Sequence, residues 1–144
     1  MAVRTNEEVI RDGFQAFSEG RFEDCLETLD PDVERHIAFR LPDLPPDQQV
    51  ARGHDEVSEV WARFTGVWEE LIFDPVEFIH DADDLVIAKV HAHGVGRESG
   101  IEVDRTLYYL ISTRAQLLTR ILPFDTLAEA AEAGGIQLPG SQTA

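Results

Sequence analysis

The chain is predicted to be an α+β protein. Three apolar stripes at helical spacing occupy its first half, and four short runs rich in Val, Ile, Leu and Tyr, separated by turn residues, occupy its second. Helices followed by a meandering antiparallel sheet exclude a doubly wound parallel architecture.

The first helix opens at Thr5-x-x-Glu8, a capping box, and continues through the stripe Ile10, Phe14 and Phe17 to Gly20, a left-handed terminator. Phe22, Leu26 and Leu29 repeat the spacing, and Asp30-Pro31 is read as the stop of that second helix. On periodicity alone, this is a helical hairpin burying its Phe and Leu side chains. Val33 to Phe39 reads as a strand. Arg40 to Gly53, with three prolines, reads as a loop long enough to serve as a lid. His54 to Leu71 carries Val57, Val60, Trp61, Phe64, Trp68 and Leu71 on one helical face, and His54 beside Gly53 suits helix initiation. Strands are expected at about 72 to 80, 85 to 97, 101 to 112 and 117 to 125. In the second of these, Val86, Ala88, Val90 and Ala92 should face the helices, and Ile87, Lys89, His91 and His93 the other side. Asp125-Thr126 caps a last helix ending at Gly134-Gly135. The domain is expected to span 1–136, with a flexible tail over 137–144.

A length of 144 residues suits one domain with a core able to hold a pocket. Cys25, the single cysteine, excludes an internal disulfide and a cysteine-based zinc cluster, and reads as a small buried hydrophobe. A net charge of −16 argues against nucleic acid and anionic membranes as partners. With no long apolar run and no apolar leader, a soluble cytoplasmic protein is expected.

Four local strings resemble the SnoaL-like, ketosteroid isomerase-like branch of the nuclear transport factor 2 superfamily. They are F-x-x-F-x-x-G-x-F at Phe14 to Phe22, L-D-P-D-V-E at Leu29 to Glu34, R-G-H-D-E-V at Arg52 to Val57, and F-D-T-L-A-E-A at Phe124 to Ala130. The resemblance implies a cystatin-like α+β cone, with N-terminal helices packed in a curved, mainly antiparallel sheet around an apolar cavity. It also implies a homodimer through the outer sheet face, and no cofactor. Such cones share a fold and differ in chemistry, so each site residue is weighed separately.

Where ketosteroid isomerases carry their aspartate base, after Val33-Glu34, this chain has Arg35, which cannot abstract a proton. Their protonated aspartate falls near Leu107, so a Δ5-ketosteroid isomerase is excluded by motif. The Arg-Asp-Asp set of limonene epoxide hydrolases would fall near Val90 or His91 and Leu122, and is missing. His36, a position where histidine is common in SnoaL-like proteins, is either a general acid or base or a solvent-facing strand end. Arg105, on the parity of Val103, Leu107, Tyr109 and Ile111, is either paired internally, with a carboxylate such as Glu34, or free to meet a ligand anion. Arg120 raises the same question on the parity of Leu118, Leu122 and Phe124. Tyr109 is an oxyanion donor or plain core, and Asp125 a cavity acid or base or a helix N-cap.

Phe14, Phe17, Trp61, Phe64, Trp68, Arg120, Leu122 and Phe124 are the candidate pocket lining, suited to a flat or cyclic ligand. His91 and His93 point the same way. With His80 or Asp104 they could hold a metal, but a polar dimer interface suits them better, and no metal is expected. Three functions stay open: proton-transfer chemistry on a small hydrophobic substrate, with His36 as acid or base and Arg35 or Arg105 stabilising charge; binding of a hydrophobic ligand without catalysis; or an interaction domain working through its outer face.

Overall fold

In the computed structural model, which describes residues 5–37, 50–82 and 84–137, helix α1 (Asn6–Ser18) opens with the capping box read from its sequence. The Thr5 hydroxyl accepts the Glu8 amide at 3.1 Å, and the Thr5 amide donates to Glu8 Oε1 at 2.9 Å. Gly20 ends the turn with a φ of 77°, which glycine adopts at no steric cost. Phe14 and Phe17 are buried, as their spacing requires.

Helix α2 (Phe22–Glu27) is shorter than expected. Leu29 already belongs to strand β1 (Leu29–His36), and Asp30-Pro31, read as a helix stop, lies inside that strand. Proline is tolerated there because the ladder shifts register between Leu29 and Glu34, so no bond is asked of its nitrogen. Strand β2 (Val50–Arg52) pairs antiparallel with β1 and was read as loop, being too short to show an alternation. Residues 38–49, the rest of the expected lid and the end of the first expected strand, lie outside the described residues. So does the expected tail beyond Gln137.

Helix α3 (Gly53–Val67) stops four residues before its expected end. Trp68 is already extended, with φ −107° and ψ 128°, and opens strand β3 (Trp68–Asp81). The overreach has a simple cause: Phe64, Trp68 and Leu71 fit a helical stripe, but Trp68 through Phe73 is also rich in strand formers. Strands β4 (Leu85–Gly96), β5 (Glu102–Arg114) and β6 (Leu117–Phe124) complete a sheet of order β2-β1-β6-β5-β4-β3. All pairs are antiparallel except β1 with β6.

The curved sheet and the helices inside it form the α+β cone that the resemblance implies. Val86, Ala88, Val90 and Ala92 join Ile10, Phe14, Phe17 and Phe64 in the main core, as the alternation predicts. Ile87 and Leu110 point the other way. Helix α4 (Leu127–Gly134) folds over that outer face, and its Ala130 and Ala131 close a second, smaller core.

A bulge in β6 decides several site assignments. Thr113 pairs with Leu118 and Ser112 with Arg120, so Thr119 is an extra residue and the side-chain alternation resets across it. Leu118 and Ile121 therefore face the main core, while Leu122 and Phe124 pack in the second core beside α4. The parity that joined Leu118 to Arg120, Leu122 and Phe124 is corrected. None of those last three lines the cone interior.

Candidate functional site

Strand β1 presents Glu34, Arg35 and His36 in succession, and its pleat sends neighbours to opposite faces. Arg35 sits opposite Ile121, shares the inner face with Val33, and is only 7% exposed. Its guanidinium carbon lies 4.9 Å from the centroid of the Phe17 ring. Among the described residues it makes no hydrogen bond and no ion pair. Arginine keeps its proton under all ordinary conditions, so the charge is buried as a charge. Stacking on Phe17 returns about 0.5–2 kcal/mol of a desolvation cost of several kcal/mol.

Tyr109, on β5, is fully buried, and its hydroxyl has no hydrogen-bond partner among the described residues. Burial pushes its pKa up to about 12, against the opposing pull of Arg35 and Arg105. At neutral pH the phenol is therefore an O–H donor with two cationic side chains acting on it. The surrounding wall is aromatic. Phe14 meets the Tyr109 ring edge-on at 5.2 Å, Phe73 stands 6.4 Å from it, and Phe17 contacts both Phe73 at 5.5 Å and Phe64 at 6.4 Å. Phe73 was not among the residues nominated from the sequence. Its signal was there, a large aromatic on the parity of Leu71 in a strand that helices should cover.

The other nominated residues fall elsewhere. Arg105 shares the inner parity but is half-exposed, and it donates to Asp125 Oδ1 at 2.5 Å. Its internal partner is thus Asp125 and not Glu34. Asp125 is exposed and is not the N-cap of α4. Thr126 is, its hydroxyl accepting the Glu129 amide at 3.1 Å. His36 lies on the opposite face of β1 from Arg35, its Nε2 2.7 Å from Glu34 Oε2, in keeping with the solvent-facing strand-end alternative of its sequence reading. Arg120 joins this outer cluster, 3.4 Å from the same oxygen, with Arg52 3.9 Å from Oε1. The His36 hydrogen bond, then the charges of Arg120, His36 and Arg52, hold the Glu34 carboxyl below its ordinary pKa.

Trp61, Phe64 and Trp68 meet at an open groove of about 390 Å³ with Phe17 at its inner side and Leu71 beside it. Trp61 stacks on Phe22 at 4.7 Å, and the Trp68 indole covers Gly94, where a Cβ would stand 2.8 Å from the ring. On the outer face, the His91 Nε2 is bonded to Asp104, and the His93 Nε2 lies 3.4 Å from Glu70 Oε2. Among the described residues, no group of three or more His, Cys, Asp or Glu is placed to hold a metal ion. The His54 Nε2 pairs with the Leu29 carbonyl at 3.0 Å, tying α3 to β1. Among the described residues, no helix is long and apolar enough to cross a membrane.

A curved sheet wrapped round helices, with an aromatic interior, defines the α+β cone class of protein. Residues 10–119 match the SnoaL-like domain model, more than half of the sequence, and the chain belongs to that family. Solved structures agree on the fold. A protein of unknown function from Burkholderia pseudomallei, described as NTF2-like, aligns over 90% of this chain and 97% of its own at 17% identity and a TM-score of 0.70. TerC, co-crystallised with polyporic acid, aligns over 88% and 95% at 20% identity and a TM-score of 0.69. A candidate polyketide cyclase from Pseudomonas putida aligns over 90% and 98% at 15% identity and a TM-score of 0.70. No curated protein matches the chain. At these identities the likeness carries the fold alone.

Proposed function

We propose that this SnoaL-type protein takes a small, largely apolar molecule into the cone and stabilises negative charge on one of its oxygens. The chemistry that such stabilisation serves is proton transfer, as in isomerisation, cyclisation or dehydration. The observation that carries this reading is the Tyr109 hydroxyl, which is fully buried, protonated at neutral pH and without a partner among the described residues. Arg35 and Arg105 strengthen it as a donor, and Phe14, Phe17 and Phe73 supply the apolar surroundings. The polyketide cyclase description of one structural relative and the polyporic acid co-crystallised with another are in keeping with an oxygen-bearing guest.

A second reading, binding without catalysis, is favoured by the placement of His36. With that imidazole on the outer face, the described interior around Tyr109 holds an electrophilic donor and no base. Deuterium exchange of the α-protons of 2-tetralone in D2O, followed by NMR, separates the two. The protein is expected to speed exchange by stabilising the enolate oxygen while hydroxide or buffer base from solvent takes the α-proton, Tyr109→Phe to slow it by about a hundredfold, and His36→Ala to leave it unchanged. Exchange no faster than in buffer, with the ketone still quenching tryptophan fluorescence, would establish binding alone. A His36→Ala variant that loses exchange would restore the histidine as acid or base.

The reading includes a homodimer through the part of the outer sheet face that α4 leaves open. A single monomeric species in sedimentation at micromolar concentration would remove that part.

A further inference from the structure

Arg35 bears on which molecules the cone accepts. Buried guanidinium groups are ordinarily neutralised by a carboxylate, and removing one partner of such a pair is strongly destabilising. The two carboxylates one would expect to serve Arg35 are both committed elsewhere. Glu34, its neighbour in the chain, is turned to the opposite face by the pleat and is engaged by His36, Arg120 and Arg52. Asp125 is exposed and bonded to Arg105. Among the described residues, Arg35 has the Phe17 ring against its guanidinium, Phe64 and Phe73 beyond that ring, and the Tyr109 hydroxyl and the buried Cys25 thiol within its electrostatic reach. A fixed charge, a neutral O–H donor and a wall of aromatic rings are the complement of a delocalised oxyanion carried on a flat hydrophobic body. The surface does not provide this selectivity, since a molecule of net charge −16 has no long-range attraction for anions.

The structure assigns Arg35 as the anchor for a ring-bearing organic anion, a carboxylate or a phenolate, with the Tyr109 hydroxyl as its second donor. This rests on the pocket reading above and adds the charge of the guest. It also explains why an arginine stands where other cones keep a catalytic carboxylate. The guest brings the negative charge, and the protein supplies the positive one.

The test uses two isosteric probes, 2-naphthoate and 2-naphthamide, with affinities read from tryptophan fluorescence and binding-linked thermal shifts. The wild-type protein should bind the acid at least about tenfold more tightly than the amide, a difference of about 1.4 kcal/mol. Arg35→Met, which keeps the volume and removes the charge, should abolish that preference and leave amide binding intact. Without ligand, it should unfold at a temperature equal to or above that of the wild type, since a buried unpaired charge has been replaced by an apolar side chain. If that variant fails to fold, Arg35→Lys serves instead, and should keep the sign of the preference while weakening the acid through loss of the planar fork. Equal binding of acid and amide in the wild type, unchanged in either variant, would overturn the inference and leave the pocket reading standing. Binding of neither probe would remove the pocket reading, and the inference with it.

Discussion

The inner and outer faces of β1 carry the same kinds of side chain in opposite states. Glu34, His36, Arg52 and Arg120 form a partly solvated cluster in which each charge has an opposite neighbour. Arg35, one residue from both Glu34 and His36, is buried on Phe17 with no ion pair among the described residues, near a Tyr109 hydroxyl that also has no hydrogen-bond partner there. The outer cluster is worth little to stability, because water screens it and competes for its hydrogen bonds. The inner pair costs stability, because nothing described compensates its desolvation. Polar groups that a fold retains at its own expense mark a site more reliably than polar groups that satisfy one another.

Three substitutions would break or sharpen this contrast. The largest effect is expected at Phe73, which touches Phe14, Phe17 and Tyr109 and is 2% exposed. Phe73→Ala should cost about 3–5 kcal/mol by urea denaturation and open the wall around the polar pair. A loss below about 1 kcal/mol would mean that the interior is already loose. Next is Tyr109→Phe, measured without ligand. Deleting a buried hydroxyl that lacks a partner among the described residues should raise stability by about 1 kcal/mol, whereas a fall of that size would show that the hydroxyl is satisfied in solution.

The smallest effect belongs to the outer cluster. The Glu34 carboxyl has its pKa lowered in the folded state, so its contribution is complete above the ordinary value of 4.5 and is lost as the pH falls through the lower folded value. Glu34→Gln should therefore cost about 0.5 kcal/mol at neutral pH, a difference that disappears once the pH falls below the folded value, so that the acid limb of the stability curve is flatter in the variant. A change at neutral pH matching that of Phe73→Ala would contradict the assignment of this cluster to the screened face.

Much of the cone was legible in the sequence because its elements carry clean local signals. The Thr5 capping box, the left-handed Gly20, the alternation of Val86 through Ala92 and the four meander strands all follow from short-range chemistry. Errors arose where a pattern served two structures or where one residue changed a register. Trp68 and Leu71 fit a helical stripe and a strand equally well, and the strand prevailed. One bulged residue, Thr119, moved Arg120, Leu122 and Phe124 to the face opposite the one their spacing from Leu118 implied. Pairing lies further out of reach. That Arg105 would take Asp125, and leave Arg35 without a carboxylate among the described residues, depends on contacts between strands that no single segment encodes.

The parallel pairing of β1 with β6 sets when the site can exist. Strands β3 to β6 are joined by short turns and can zip up as neighbours, but Arg35 comes to rest beside Ile121 only after a loop of most of the chain has closed. In kinetic terms, Tyr109 belongs to the part that can assemble early and Arg35 to the part that assembles last. A naphthoate probe added during refolding should accordingly report the final phase alone, and a nascent chain lacking β6 should present no anchor for it.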